Sequence, residues 1–256
     1  DEAVGIWEFM SDSVVDFDEA VFETAELTHR NKLLLHGHAP AERGPVLSAC
    51  VAAGMRNDHE CITVEGLVEK LSNGIYCFIR RNTKRDSIDE LVRAVTELGI
   101  PTTYLSLCTD DLDCLEILEL GLIDYMVRRV ISAGIDPISA IQMATINPAR
   151  AYNLDQQIGS ITPGRSADIL LLRDLATFDV DSVIADGVLI AENDRMIHTV
   201  SSPVYPEDFL NTVRLDRPLR EDDLYIRTDL AASYADVMAI HLNRAAGPPH
   251  QRKDFK

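Results

Sequence analysis

Through the first 110 residues, short apolar runs alternate with longer amphipathic segments. The runs fall at residues 4–7, 33–38, 54–60 (the weakest), 75–79 and 103–108. Each is short enough to read as a strand rather than a helix. Between them, residues 18–30, 44–53, 63–71 and 87–98 carry helical period. In the last of these Ile88, Leu91, Val92 and Val95 share one face, behind Asp86 and Ser87 as candidate caps. Strands that alternate with helices predict a parallel sheet with helical crossovers.

Beyond Asp111 the pattern predicts two more helices, at 115–133 and 137–151. It then changes to short strands at 158–161, 163–165, 168–172 and 183–188, joined by Gly-containing turns, which predict a small β domain. From about residue 200 the chain is polar and Pro-bearing, and the last ten residues, GPPHQRKDFK, read as disordered. The domain expectation is therefore 1–156, 157–200 and an extended, partly disordered 201–256.

Composition narrows the function. A chain of 256 residues with 46% hydrophobic residues can bury a core. A formal charge of −18 disfavours binding to nucleic acid or anionic lipid. No window reaches the roughly 18 apolar residues of a membrane span, and the first residues, DEAVGIWEFM, are acidic where a signal peptide is basic. The five cysteines form no CxxC pair and read as reduced thiols. The cytoplasm is the expected compartment.

The chemistry concentrates where the apolar runs end. Glu8, His36 and His38, His59 and Glu60, and Asp110 and Asp111 stand there. In a (β/α)₈ barrel, at roughly 30 residues per unit, active residues lie at the C-terminal ends of the strands. Taken singly, each residue has a plainer explanation: a structural histidine, a solvated carboxylate, a turn or helix-cap aspartate. Taken jointly, carboxylates and imidazoles converging on one end make a ligand set for Zn, Fe or Mn.

Several segments carry a resemblance: His38-Ala39-Pro40, Asp58-His59-Glu60, Cys108-Thr109-Asp110-Asp111, the stretch from Ile135-Asp136-Pro137 to Asn147-Pro148-Ala149-Arg150, Pro163-Gly164-Arg165, Val183 to Gly187, and Asn211-Thr212-Val213. Together they resemble the adenine deaminase branch of the amidohydrolase superfamily, over residues 5 to about 226. The resemblance implies an α/β fold, a partial (β/α)₈ TIM barrel of strands four to eight followed by a small β domain. It implies that Glu8, His38, His59 and Asp110 are metal ligands, that Asp110 also accepts the proton of the attacking water, and that Glu60 is a proton carrier to the purine. A divalent pair is implied, Mn or Fe ahead of Zn. His36 is then a neighbour of the ligand His38.

Reading His36 and His38 as the superfamily's first-strand His-x-His pair fails on spacing, because His38 and Asp110 lie too close for seven units of roughly 30 residues. That pair, with strands one to three, has no counterpart in this chain. A homo-oligomer or a missing N-terminal half is the expected partner, and a purine base the expected substrate. The chain departs from the family's pattern at 41–44, 81–83 and 112–114, which bears on substrate choice. Two other outcomes stay open: an amidohydrolase acting on another amine or cyclic amide, although Glu8 stands where such relatives carry a modified lysine, and a non-catalytic half-barrel.

Overall fold

The computed structural model describes residues 3–83, 86–199, 204–210 and 212–225. Five strands, β1 (Gly5–Met10), β2 (Leu34–His38), β3 (Met55–Asp58), β4 (Tyr76–Arg81) and β5 (Leu105–Thr109), form one parallel sheet in the order of the sequence. The crossovers are α1 (Ser11–Val15) with α2 (Glu19–Arg30), then α3 (Gly44–Ala52), α4 (Val64–Ser72) and α5 (Ile88–Thr96). Every apolar run named above became a strand. The additional helix α1 was not legible, since five residues are too few to show a period.

Helix starts follow local chemistry. Asp18 accepts from the Ala20 amide and Thr63 from the Gly66 amide. The helix at α5 buries Ile88, Leu91 and Val92, and Asp86 accepts from the Ile88 amide at 3.1 Å. Ser87 makes no cap bond, so of the two candidate caps only Asp86 serves.

The core joins Leu35, Leu47, Leu67, Ile75, Ile79, Leu91, Leu105, Met126 and Met143. Buried residues run consecutively in β2, β4 and β5, as expected where both faces of a parallel sheet are covered.

The two long helices expected after Asp111 are each divided. Residues 115–133 resolve into α6 (Cys114–Leu120) and α7 (Ile123–Ser132), separated at Gly121, whose φ of 96° ends the first. Residues 137–151 resolve into α8 (Pro137–Ala144) and α9 (Ile146–Ala151), broken at Thr145.

A second, antiparallel sheet holds β6 (Ile169–Asp174), β7 (Asp179–Ala185), β8 (Val188–Glu192) and β9 (Arg195–Met196). Segments 158–161 and 163–165 are turns instead of strands, and 183–188 is the tip of a hairpin instead of one strand. The cause of the last is Asp186-Gly187, both at positive φ (48° and 77°), the requirement of a tight hairpin turn. Phe178, Leu172 and Val180 pack this sheet onto the main core.

Residues up to Ile197 thus belong to one compact unit. A second unit begins at His198. Its described part holds α10 (Glu207–Leu210), a 3-10 turn at Glu221–Leu224 and an Arg217–Asp223 ion pair. The expectation for GPPHQRKDFK lies outside the described residues.

Gly37 explains the His-Gly-His sequence. A Cβ at this position would lie 2.1 Å from Met55 Sδ and 2.8 Å from the Asn57 carbonyl oxygen, inside the β2–β3 contact. The thioether can move, but the paired backbone cannot. Gly37→Ala is expected to destabilise the fold by about 1–3 kcal/mol in urea denaturation, the usual cost of overpacking.

Candidate metal centre

The parallel order of β1 to β5 brings their C-terminal ends to one edge, with Met10 opposite His38, Gly37 opposite Asp58 and Arg81 opposite Thr109. Glu8 lies within β1, His38 closes β2, His59 and Glu60 follow β3, Arg80 lies near the end of β4 and Asp110 follows β5. Two clusters result: Glu8 with His38 and His59, and His59 with Glu60 and Asp110. In each, the nearest donor atoms all lie within 4.8 Å of one another. All five residues expected to act are therefore brought together, and His59 is common to both clusters.

The first cluster has the dimensions of a cation site. His38 Nδ1 lies 3.4 Å from Glu8 Oε2, and His59 Nε2 lies 3.3 Å from Glu8 Oε1. Two donors each about 2.1 Å from one ion at tetrahedral or octahedral angles are about 3.0–3.4 Å apart. His38 Nδ1 is moreover buried without a hydrogen-bond partner. A buried polar atom of this kind is costly unless something binds it, and its nearest groups are carboxylates, which favour a cation. The residues present fit a divalent metal.

The second cluster already contains a cation of its own. The Arg80 guanidinium pairs with Glu60 Oε1 at 2.5 Å and with Asp110 Oδ2. Arg80 received no role from the sequence, because an arginine after a strand has many uses and its two acidic partners are distant in the chain. A metal drawing on Asp110 has to share this carboxylate with the guanidinium.

Behind the cluster stands a buried ion pair that the sequence also concealed. Asp58 and Lys70 are 0% and 1% exposed, with Lys70 Nζ 2.7 Å from Asp58 Oδ2. The same carboxylate accepts the Ala39 amide at 2.8 Å and the Glu60 amide at 3.0 Å, and the ammonium also donates to the Ala39 carbonyl. The turn after His38 and the turn carrying His59-Glu60 are therefore fastened to one charge pair.

His36, on the same strand as His38, is turned into the protein. Its Nε2 lies 3.1 Å from His59 Nδ1, and Tyr152 Oη lies 2.9 Å from its Nδ1. Burial, helped by the neighbouring His59 and His38, pushes its pKa down to about 3. Burial also lowers that of His59, against the pull of Asp58 and Glu60. It raises the Tyr152 phenol and the Cys108 thiol to about 12, so both stay protonated.

Two rim loops are joined. Thr83 Oγ1 donates to Glu116 and accepts the Asp113 amide at 2.7 Å, and the Thr83 amide donates to the Asp111 carbonyl. The loop at 41–44 is tied elsewhere, through Arg43 and the Gly44 amide to Glu69.

Comparison with known proteins identifies the family. The family model described as "Amidohydrolase family" matches residues 2–190. The chain belongs to the amidohydrolase family. It is 37% identical over 242 residues to adenine deaminase 1 of Desulfotalea psychrophila, covering 94% of this chain and 41% of that protein. It is 37% identical over 240 residues to adenine deaminase 4 of Rhizobium meliloti, covering 93% and 40%. The chain thus spans about two fifths of the length of these curated relatives.

Among solved structures, a beta-aspartyl dipeptidase from Fervidobacterium islandicum AW-1 superposes with a TM-score of 0.62 at 14% identity, over 79% of this chain and 62% of the other. That likeness speaks for the amidohydrolase fold alone.

Two outcomes follow from the buried groups. Lys70→Met leaves the Asp58 charge uncompensated and is expected to cost about 3–5 kcal/mol in chemical denaturation. For His36, the unfolded chain takes up a proton below about pH 6.5 that the fold refuses until about pH 3. The contribution of its neutral burial is complete above 6.5 and is lost as pH falls, by about 4–5 kcal/mol at pH 3. Denaturation of the metal-free chain at pH 7 and pH 4 should show a steeper loss for the wild type than for His36→Gln.

Proposed function

We propose that this chain is the central portion of a metal-dependent adenine deaminase, an aminohydrolase that converts adenine and water to hypoxanthine and ammonia. One observation carries the reading: the Glu8 carboxylate spans two imidazoles, His38 and His59, on the edge that also holds Glu60 and Asp110. The similarity to adenine deaminases over 94% of the chain supplies the substrate class, a purine base. In this reading β1 to β5 are strands four to eight of a (β/α)₈ TIM barrel over residues 1–156, followed by a small β domain over 157–200 and a tail over 201–256.

Glu8, His38, His59 and Asp110 would hold a divalent pair, with Mn or Fe preferred to Zn. Such a pair would lower the pKa of bound water toward neutrality. The chain's own residues do the rest. Asp110 accepts the proton of the water that attacks C6 of adenine. Glu60, buried and beside Arg80, passes one of the two water protons on to the purine ring, and the other goes to the amine, which leaves as ammonia. The Arg80 guanidinium pairs with both carboxylates and holds them side by side.

The first three strands, with their His-x-His pair, come in this reading from a missing N-terminal half or from another copy. β1 and β5 each pair on one side only among the described residues, and a sheet of five strands cannot close an eight-stranded barrel. The five free cysteines suit the reducing cytoplasm.

Ammonia release from adenine tests the reading. The Mn²⁺- or Fe²⁺-loaded chain is assayed alone and joined in one polypeptide to the segment that precedes the matched region in the Desulfotalea psychrophila relative. The joined protein is expected to produce hypoxanthine, with Asp110→Asn lowering kcat at least 10²-fold, and the chain alone to turn over little. Hydrolysis of another amine or a cyclic amide, with adenine untouched, would overturn the substrate assignment.

A further inference from the structure

His59 uses only one of its two ring nitrogens at the candidate centre. Nε2 faces Glu8, and Nδ1 points the other way, to His36 Nε2. A ring nitrogen offers a metal a lone pair only if the hydrogen sits on the other nitrogen, and what decides this is the group that the other nitrogen meets. Carboxylates and backbone carbonyls, the usual partners, can only accept. Here the partner is a neutral imidazole, which can accept or donate, so the direction of its own hydrogen bond matters.

That direction is tied to a third group one step further back. His36 Nδ1 meets Tyr152 Oη at 2.9 Å, and the two ring planes differ by 4°. Phe78 abuts both rings edge-on, with centroids 5.8 Å away in each case. Tyr152 caps the C-terminus of α9, and His36 is 3% exposed. The three groups are thus held in line, and only two hydrogen-bond directions satisfy them. In one, Tyr152 donates to His36, His36 donates from Nε2 to His59 Nδ1, and His59 carries its hydrogen on Nε2 toward Glu8. In the other, every bond is reversed and His59 Nε2 is bare. Both directions hold the same number of protons, one on each imidazole and one on the phenol.

We propose that His36 is a positioning residue for the metal centre: in the loaded protein its Nε2 accepts the Nδ1 hydrogen of His59, its own Nδ1 hydrogen goes to Tyr152 Oη, and His59 Nε2 is thereby presented to the cation. His36, Tyr152 and His59 form a reversible chain of hydrogen bonds whose direction follows occupancy, with no net gain or loss of protons by the three side chains. The inference rests on the reading of His59 as a ligand.

The test uses the full 256-residue chain and Zn²⁺ alone. Affinity is measured by competition with a chelator, and histidine tautomers are read from ¹⁵N chemical shifts in the metal-free and Zn²⁺-loaded protein. His36→Leu is expected to weaken Zn²⁺ binding about 10–100-fold. His36→Gln, which keeps an acceptor near the place of Nε2, should recover most of the loss, and Tyr152→Phe should cost less than His36→Leu. In the loaded wild type, His36 should carry its hydrogen on Nδ1.

A folded His36→Leu protein that binds Zn²⁺ as tightly as wild type, or a loaded wild type with the His36 hydrogen on Nε2, overturns the proposal. Should His36→Leu not fold, the tautomer and His36→Gln decide. Wild type that binds no Zn²⁺ removes the ligand reading itself and the proposal with it, an outcome distinct from binding that is indifferent to His36.

Discussion

The arrangement at the sheet edge depends on a single buried charge. The Asp58 carboxylate takes two backbone amides and an ammonium, from Ala39, Glu60 and Lys70. Those amides belong to the segments directly following His38 and His59. Hydrogen bonds to a charged acceptor are stronger than those between neutral groups, and in a dry interior an unpaired carboxylate would be prohibitive. The site is therefore rigid for the same reason that the pair is costly to break. Its histidines and carboxylates stand at or just beyond strand ends, and the turns after β2 and β3 are held to one buried ion pair.

Much of the sheet was legible because parallel strands are buried on both faces and read as uninterrupted apolar runs. Glu8, His38, His59, Glu60 and Asp110 were legible because each stands where such a run stops, and polarity at that boundary is informative. Arg80 and Lys70 were not. Lys70 sits in an amphipathic helix where lysine is usually solvated, and only the fold reveals that its ammonium points inward onto Asp58. The same limit explains 158–165, where glycines at positive φ make turns out of a stretch with strand-like composition. It also explains the divided helices, since one residue in an unusual conformation interrupts a period without changing its hydrophobic pattern.

Charge at the centre is balanced locally and is not governed by the acidic excess of the whole chain. Glu8 faces two imidazoles, and Glu60 and Asp110 share one guanidinium. Each of the three carboxylates thus has a nitrogen partner within the clusters.

The hydrogen bonds at Thr83 make the rim of the site unequal in its freedom to vary. Residues 82–83 and 111–113 are stitched together through one hydroxyl and one amide, so a substitution in either loop is felt by the other. The loop at 41–44 is held instead through Arg43 and the Gly44 amide to Glu69 in α4. Divergence among homologues would therefore come as paired changes on the β4–β5 side and as single, independent ones beside β2. On that second side a lineage could explore new ligands while the histidines beneath stay where they are.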